Sequence, residues 1–229
     1  MTWQPLLNGE FSPTTDSFGF VEAHLEDAVE WFVGWQAPKP REIRGGLRDA
    51  LEALLPLTDM GVTRELLVPT RGRWTAYFAN FVLGSDPFGP MSYAAKSLGC
   101  RTLRVAAVLN TINGKRGRYG ATVLVLYGPD EVDFDNAVRR VEMVNDSGRW
   151  MFRTNGEPFP FEETERYSER RVRDRFTPEM LERYLAALGI HAFDESFYMP
   201  DGSATLLENT KPWAATATGY SLEEVRAGW

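Results

Sequence analysis

Asp86, Asp146 and Glu162, together with Arg149, are the residues through which this chain could do acid–base chemistry. Each lies near a predicted strand end or in a connecting segment, where functional groups are often held. If they converge, carboxylates beside a guanidinium would suit a small hydrolase or transferase. Asp133-Phe134-Asp135 sets two more acids at alternate positions, a spacing that could hold Mg²⁺ or Ca²⁺ at a cleft edge. The preceding Gly128-Pro129-Asp130-Glu131 reads instead as a surface turn. The strongest catalytic frames are missing: there is no Gly-rich phosphate loop, no dinucleotide fingerprint and no His-Glu-x-x-His. With only His24 and His191, no three-histidine metal site forms within one chain, and the single Cys100 excludes an internal disulfide and a multi-cysteine zinc site. No cofactor is expected.

Charge distribution points to binding more than to catalysis. The chain has 229 residues and a net charge of −7, yet from Pro87 to Pro129 it has no Asp or Glu. Lys96, Arg101, Arg104, Lys115, Arg116 and Arg118 fall in that stretch. Residues 1–65 hold 11 acids and 5 bases. Packing such segments together makes surfaces of opposite sign, and such fields steer charged partners. Glu22, Glu26, Asp27 and Glu30 form an acidic stripe suited to a basic partner surface. The acidic balance argues against nucleic acid as that partner, and the basic middle reads as the polar face and tip of a hairpin.

Several elements must position these residues. Val21, Leu25, Ala28, Val29 and Phe32 recur at helical spacing, with Asp16 or Ser17 as a cap, and Ile43, Leu47, Ala50, Leu51 and Leu54 suggest a second helix closed by Pro56. From Glu65 onward, runs at residues 66–68, 74–81, 101–109, 119–127, 138–144 and 150–153 read as strands, interrupted by a short helix over 92–98. Asn145-Asp146-Ser147 reads as a turn. Glu162 to Arg175 places acids before arginines, a charge order that suits a solvated helix with Glu162–Arg166 and Glu169–Arg173 pairs. Thr177-Pro178-Glu179 opens the most clearly marked helix, which Gly189 ends, and Ser221 begins a short helix near the end of the chain. The expectation is one α+β domain over residues 1–229: a mainly antiparallel sheet with N-terminal amphipathic helices and a C-terminal helix.

Two Gly-Arg-Trp triplets, at 72–74 and 148–150, each open a predicted strand and read as a turn followed by a core aromatic. Trp74-Thr75-Ala76-Tyr77-Phe78-Ala79-Asn80, Gly84-Ser85-Asp86, the stretch from Gly148-Arg149-Trp150 to Pro160-Phe161-Glu162, and Arg173-Asp174-Arg175-Phe176 resemble a class of uncharacterised bacterial proteins. The resemblance covers roughly residues 71–198. Small bacterial proteins of this type resemble immunity proteins of polymorphic toxin systems, which implies a cytoplasmic α+β binder of a toxin domain. The start, Met1-Thr2-Trp3-Gln4-Pro5, has no secretory pattern, and no run approaches the roughly 18 apolar residues of a membrane span. The expectation is therefore a non-enzymatic, intracellular protein that binds another protein.

Overall fold

A computed structural model describes residues 3–59, 61–85, 87–114, 116–132, 135–199, 201–209 and 218–228. Its centre is a nine-stranded antiparallel sheet, and the α+β class expected above is what the chain adopts. In chain order the elements are β1 (Ser17–Val21), α1 (Leu25–Gln36), β2 (Lys39–Arg44), α2 (Leu47–Glu52), β3 (Leu57–Thr58), β4 (Arg64–Pro69), β5 (Thr75–Ala79) and α3 (Phe88–Leu98). They continue as β6 (Thr102–Val108), β7 (Ala121–Val132), β8 (Asp135–Asp146), β9 (Arg149–Asn155), α4 (Pro178–Ala187), β10 (Ser203–Glu208), β11 (Gly219–Tyr220) and α5 (Leu222–Ala227). Strand order in the sheet is β2-β10-β4-β5-β1-β6-β7-β8-β9, and β11 pairs separately with β3.

Both faces of the sheet are covered, so its central strands lack the polar alternation of a half-exposed sheet. On one face Phe18, Phe20, Phe78, Leu103 and Val105 meet Leu51 of α2, Leu181 and Tyr184 of α4, and Leu6. On the other, Val21, Tyr77, Ala106 and Val125 lie beneath Ala28 and Phe32 of α1 and Met91 and Ala95 of α3. Gly19 of β1 lets α3 come close, since a Cβ there would stand 2.6 Å from the Met91 sulfur. The two edges are polar. β2 exposes Lys39, Pro40, Arg41, Glu42 and Arg44, while β9 exposes Arg149 and Arg153, which discourages pairing with a further strand.

The structure corrects four readings. Val21 belongs to a strand rather than a helix; α1 starts at Leu25 with His24 as an N-cap that makes no side-chain bond. Asp16 pairs with Arg118 instead of capping, and Ser17 opens β1. Ile43 lies in β2, so α2 is shorter than its apolar pattern suggested. The charged segment forms two short 3₁₀ turns, Thr164–Ser168 and Val172–Asp174, because Glu162 is drawn into a buried pair with Arg139 and Glu169 lies near Arg166 rather than Arg173. The sequence reading also missed β2, β3, β10 and β11. Three helix-end signals are realised: Thr177 caps α4 by accepting from the Met180 N–H, Gly189 follows it at φ +78°, and Ser221 and Glu224 form a capping box on α5. Arg226 of α5 donates to the carbonyls of Gly9 and Ser12, tying this helix to the N-terminal segment.

Candidate protein-recognition face

The turn from β1 into α1 is held by an ion cluster. Arg101, just before β6, meets Glu22 with two guanidinium nitrogens, Nε to Oε2 at 2.6 Å and Nη2 to Oε1 at 2.9 Å, and Arg73 Nε approaches Oε1 at 2.7 Å. The Arg101 guanidinium also lies 5.8 Å from the centroid of Trp74, whose buried indole donates to the Leu188 carbonyl. The hydrogen bond from Arg101 outweighs burial and holds the Glu22 carboxyl below the usual carboxylate range. Glu22 is therefore a strut between β1, β6 and the β4–β5 turn. It is not part of the helix stripe.

The stripe itself lies on α1. Glu26 and Asp27 occupy its first turn, where the helix dipole favours negative charge. A four-residue spacing aligns Asp27, Trp31 and Trp35, with Glu30 beside them. The inner side of α1 is anchored by Phe32, whose ring stacks on Tyr77 at 5.5 Å with an interplanar angle of 13°. Trp31 stacks on Trp35 at 5.1 Å, and Tyr93 of α3 closes the cluster at 5.5 Å and 5.2 Å from the two indoles. Trp35 and Tyr93 remain 39% and 47% exposed. Glu26, Asp27 and Glu30 are exposed and have no ion-pair partner among the described residues.

A recess of about 610 Å³ opens between this stripe and the ion cluster, with Glu22, His24, Asp27, Glu30, Trp31 and Cys100 in its wall. Glu26 lines an adjoining hollow of about 250 Å³. Burial and then the nearby Glu22 charge push the Cys100 thiol up to about 11, so at neutral pH it is protonated and a poor nucleophile. Among the described residues no group of three or more His, Cys, Asp or Glu side chains is arranged to hold a metal ion. The recess can grip a basic, partly apolar surface through its rim.

Among the described residues, Asp146 and Arg149 lie at a different place in the fold from Glu162. Asp146 and Arg149 face each other at the β8–β9 turn, both exposed, where Ser147 and Gly148 take positive φ values of 52° and 95° in a two-residue hairpin loop. Glu162 pairs with Arg139, seven residues back along β8 and so roughly 23 Å from Asp146. Asp86, Asp133 and Phe134 lie outside the described residues, and Asp135 pairs with Arg140 at 2.9 Å. Around Glu162 the bonds are structural. Arg139 also donates to the carbonyls of Asn155 and Gly156, while Tyr167 Oη and the Phe159 N–H donate to the carboxylate. Burial would raise the Glu162 carboxyl, but these donors together hold it below its usual range.

The basic middle is not one patch. Arg101 and Arg118 are spent on Glu22 and Asp16, Arg116 lies in the β6–β7 loop, and Lys115 is outside the described residues. His191 rests edge-on against Phe197 at 5.8 Å. Sequence reasoning missed the aromatic half of the face. The Trp31 and Trp35 spacing beside Glu30 was its readable signal, whereas Tyr93 joins them only through the packing of α1 beside α3. In comparisons with known proteins, the chain matches no family model, no curated protein and no solved structure.

Proposed function

We propose that the chain is a non-enzymatic binding protein that presents the α1–α3 face to a basic surface on another protein. The observation that carries this reading is the union of Trp31, Trp35 and Tyr93, in mutual ring contact yet partly exposed, with the carboxylates of Glu26, Asp27 and Glu30. Exposed Trp and Tyr are the side chains that most often dominate interface energetics, and unpaired charges around them speed encounter and select the sign of the partner. A toxin domain that acts on nucleic acid, the kind of partner implied by the resemblance to immunity proteins, would offer such a basic surface. No helix among the described residues is long and apolar enough to cross a membrane.

Affinity capture from the native host tests the reading, using the wild type, a Trp35→Ala/Tyr93→Ala variant and an Arg149→Ala/Arg153→Ala variant on the distant β9 edge. All three must first show similar melting temperatures. A protein retained by the wild type and the β9 variant but lost with the aromatic variant supports the reading. The same captured set with all three overturns it.

A further inference from the structure

On the helix-covered side of the sheet, α3 packs near the Thr102 end of β6 and leaves the other end open. There a second recess of about 610 Å³ is walled by Ala106, Val108, Val123 and Val144 of the sheet and by Phe81 and Leu83 of the loop after β5. Its wall is mainly apolar, and its volume falls in the range of small-molecule pockets. One feature of the wall is out of place in an apolar surface. Arg104 of β6 enters it with a buried Nε that has no hydrogen-bond partner, and the described residues supply the guanidinium with no carboxylate. Across the strand pairings, Arg104 stands opposite Gly19 and Val125, neither of which can accept a hydrogen bond through its side chain, and its charge acts on the buried Tyr127 hydroxyl without a hydrogen bond joining the two. A buried donor without an acceptor is costly, so its retention is explained best by an acceptor that arrives with a ligand.

We infer that this recess binds a small monocarboxylate with an apolar body, the carboxylate seated on Arg104 and the body lying along the Val123 and Val144 wall. A planar guanidinium matches a carboxylate in shape and charge. Asp59 stands at the rim, exposed. This site is separate from the α1–α3 face, which takes none of these residues.

Titration calorimetry with decanoate and with decanol, both below their aggregation limits, tests the inference on the unaltered protein. Decanoate should bind at one site at least about tenfold more tightly than decanol, the preference expected from charge-assisted hydrogen bonds. Arg104→Met keeps the apolar stem and should bring decanoate down to the level of decanol, with the melting temperature used to confirm folding. Equal affinity for the two probes in the wild type, no saturable decanoate binding, or undiminished decanoate binding by a folded Arg104→Met would each overturn it.

Discussion

Glu65 shows how the fold sets the chemistry of a single side chain. It lies on β4 under α1, accepts from Tyr77 Oη at 2.8 Å, and is only 7% exposed. Burial lifts its carboxyl from 4.5 to about 7, against the opposing pull of the Tyr77 and Gln36 hydrogen bonds. The folded chain therefore holds this proton more tightly than the unfolded chain does. The group's contribution to stability is full below about pH 4.5, where both states carry the proton, and falls as pH rises to about 7. Glu65→Gln should gain on the wild type across that window by up to about 3 kcal/mol, a difference that levels off above it. Urea unfolding of both proteins from pH 4 to 8 measures the difference, and a gap that does not change with pH would refute the assignment. Glu162 behaves in the opposite sense, since its carboxylate is needed ionised beside a buried Arg139. Glu162→Gln should cost about 3 kcal/mol near neutral pH, because the guanidinium keeps its burial and loses its counter-charge. An unfolding midpoint within error of the wild type would show that Arg139 is compensated elsewhere.

At the scale of elements, α1 and the Trp74 corner decide whether the face is presented at all. Phe32 is fully buried against Tyr77, so Phe32→Asp places an unpaired carboxylate in the core and should destabilise by several kcal/mol. Trp74→Ala removes a buried ring together with the platform under Arg101 and should cost about 3 to 5 kcal/mol. Thermal unfolding reads both, and a Phe32→Asp protein that melts with the wild type would displace α1 from the core. Elements with local signals were legible in the residues: the Thr177-Pro178 start of α4, the Ser221 cap of α5, and the strands β5 to β9 with their β-branched and aromatic runs. β1 was hidden because Phe18, Phe20 and Val21 are buried on both faces of the sheet, leaving no polar alternation to read. β10 was hidden for another reason. Ser203–Glu208 becomes a strand by filling the gap between β2 and β4, a pairing more than 130 residues distant from β4 in sequence that no local pattern encodes.

For the whole molecule, the acidic N-terminal part and the basic middle do meet, as Glu22 with Arg101 and Asp16 with Arg118, and much of the charge asymmetry is used up inside the fold. Glu26, Asp27 and Glu30 on α1 stay outside these pairs and face solvent. Helix-dipole complementarity accounts for Glu26 and Asp27, which sit in the first turn, but not for Glu30 or for indoles left open to water at Trp31 and Trp35. The same topology separates Asp146 and Arg149 from Glu162, a separation along β8 that their sequence positions could not reveal. The association rate of the captured partner, measured for the wild type and for Glu26→Gln/Asp27→Asn/Glu30→Gln, tests the recognition face most directly. Charge steering predicts association at least about tenfold slower for the triple variant at low salt, a gap that closes toward 1 M salt as the Debye length shrinks to about 3 Å, with little change in melting temperature. Equal association rates for the two folded proteins at low salt would contradict it.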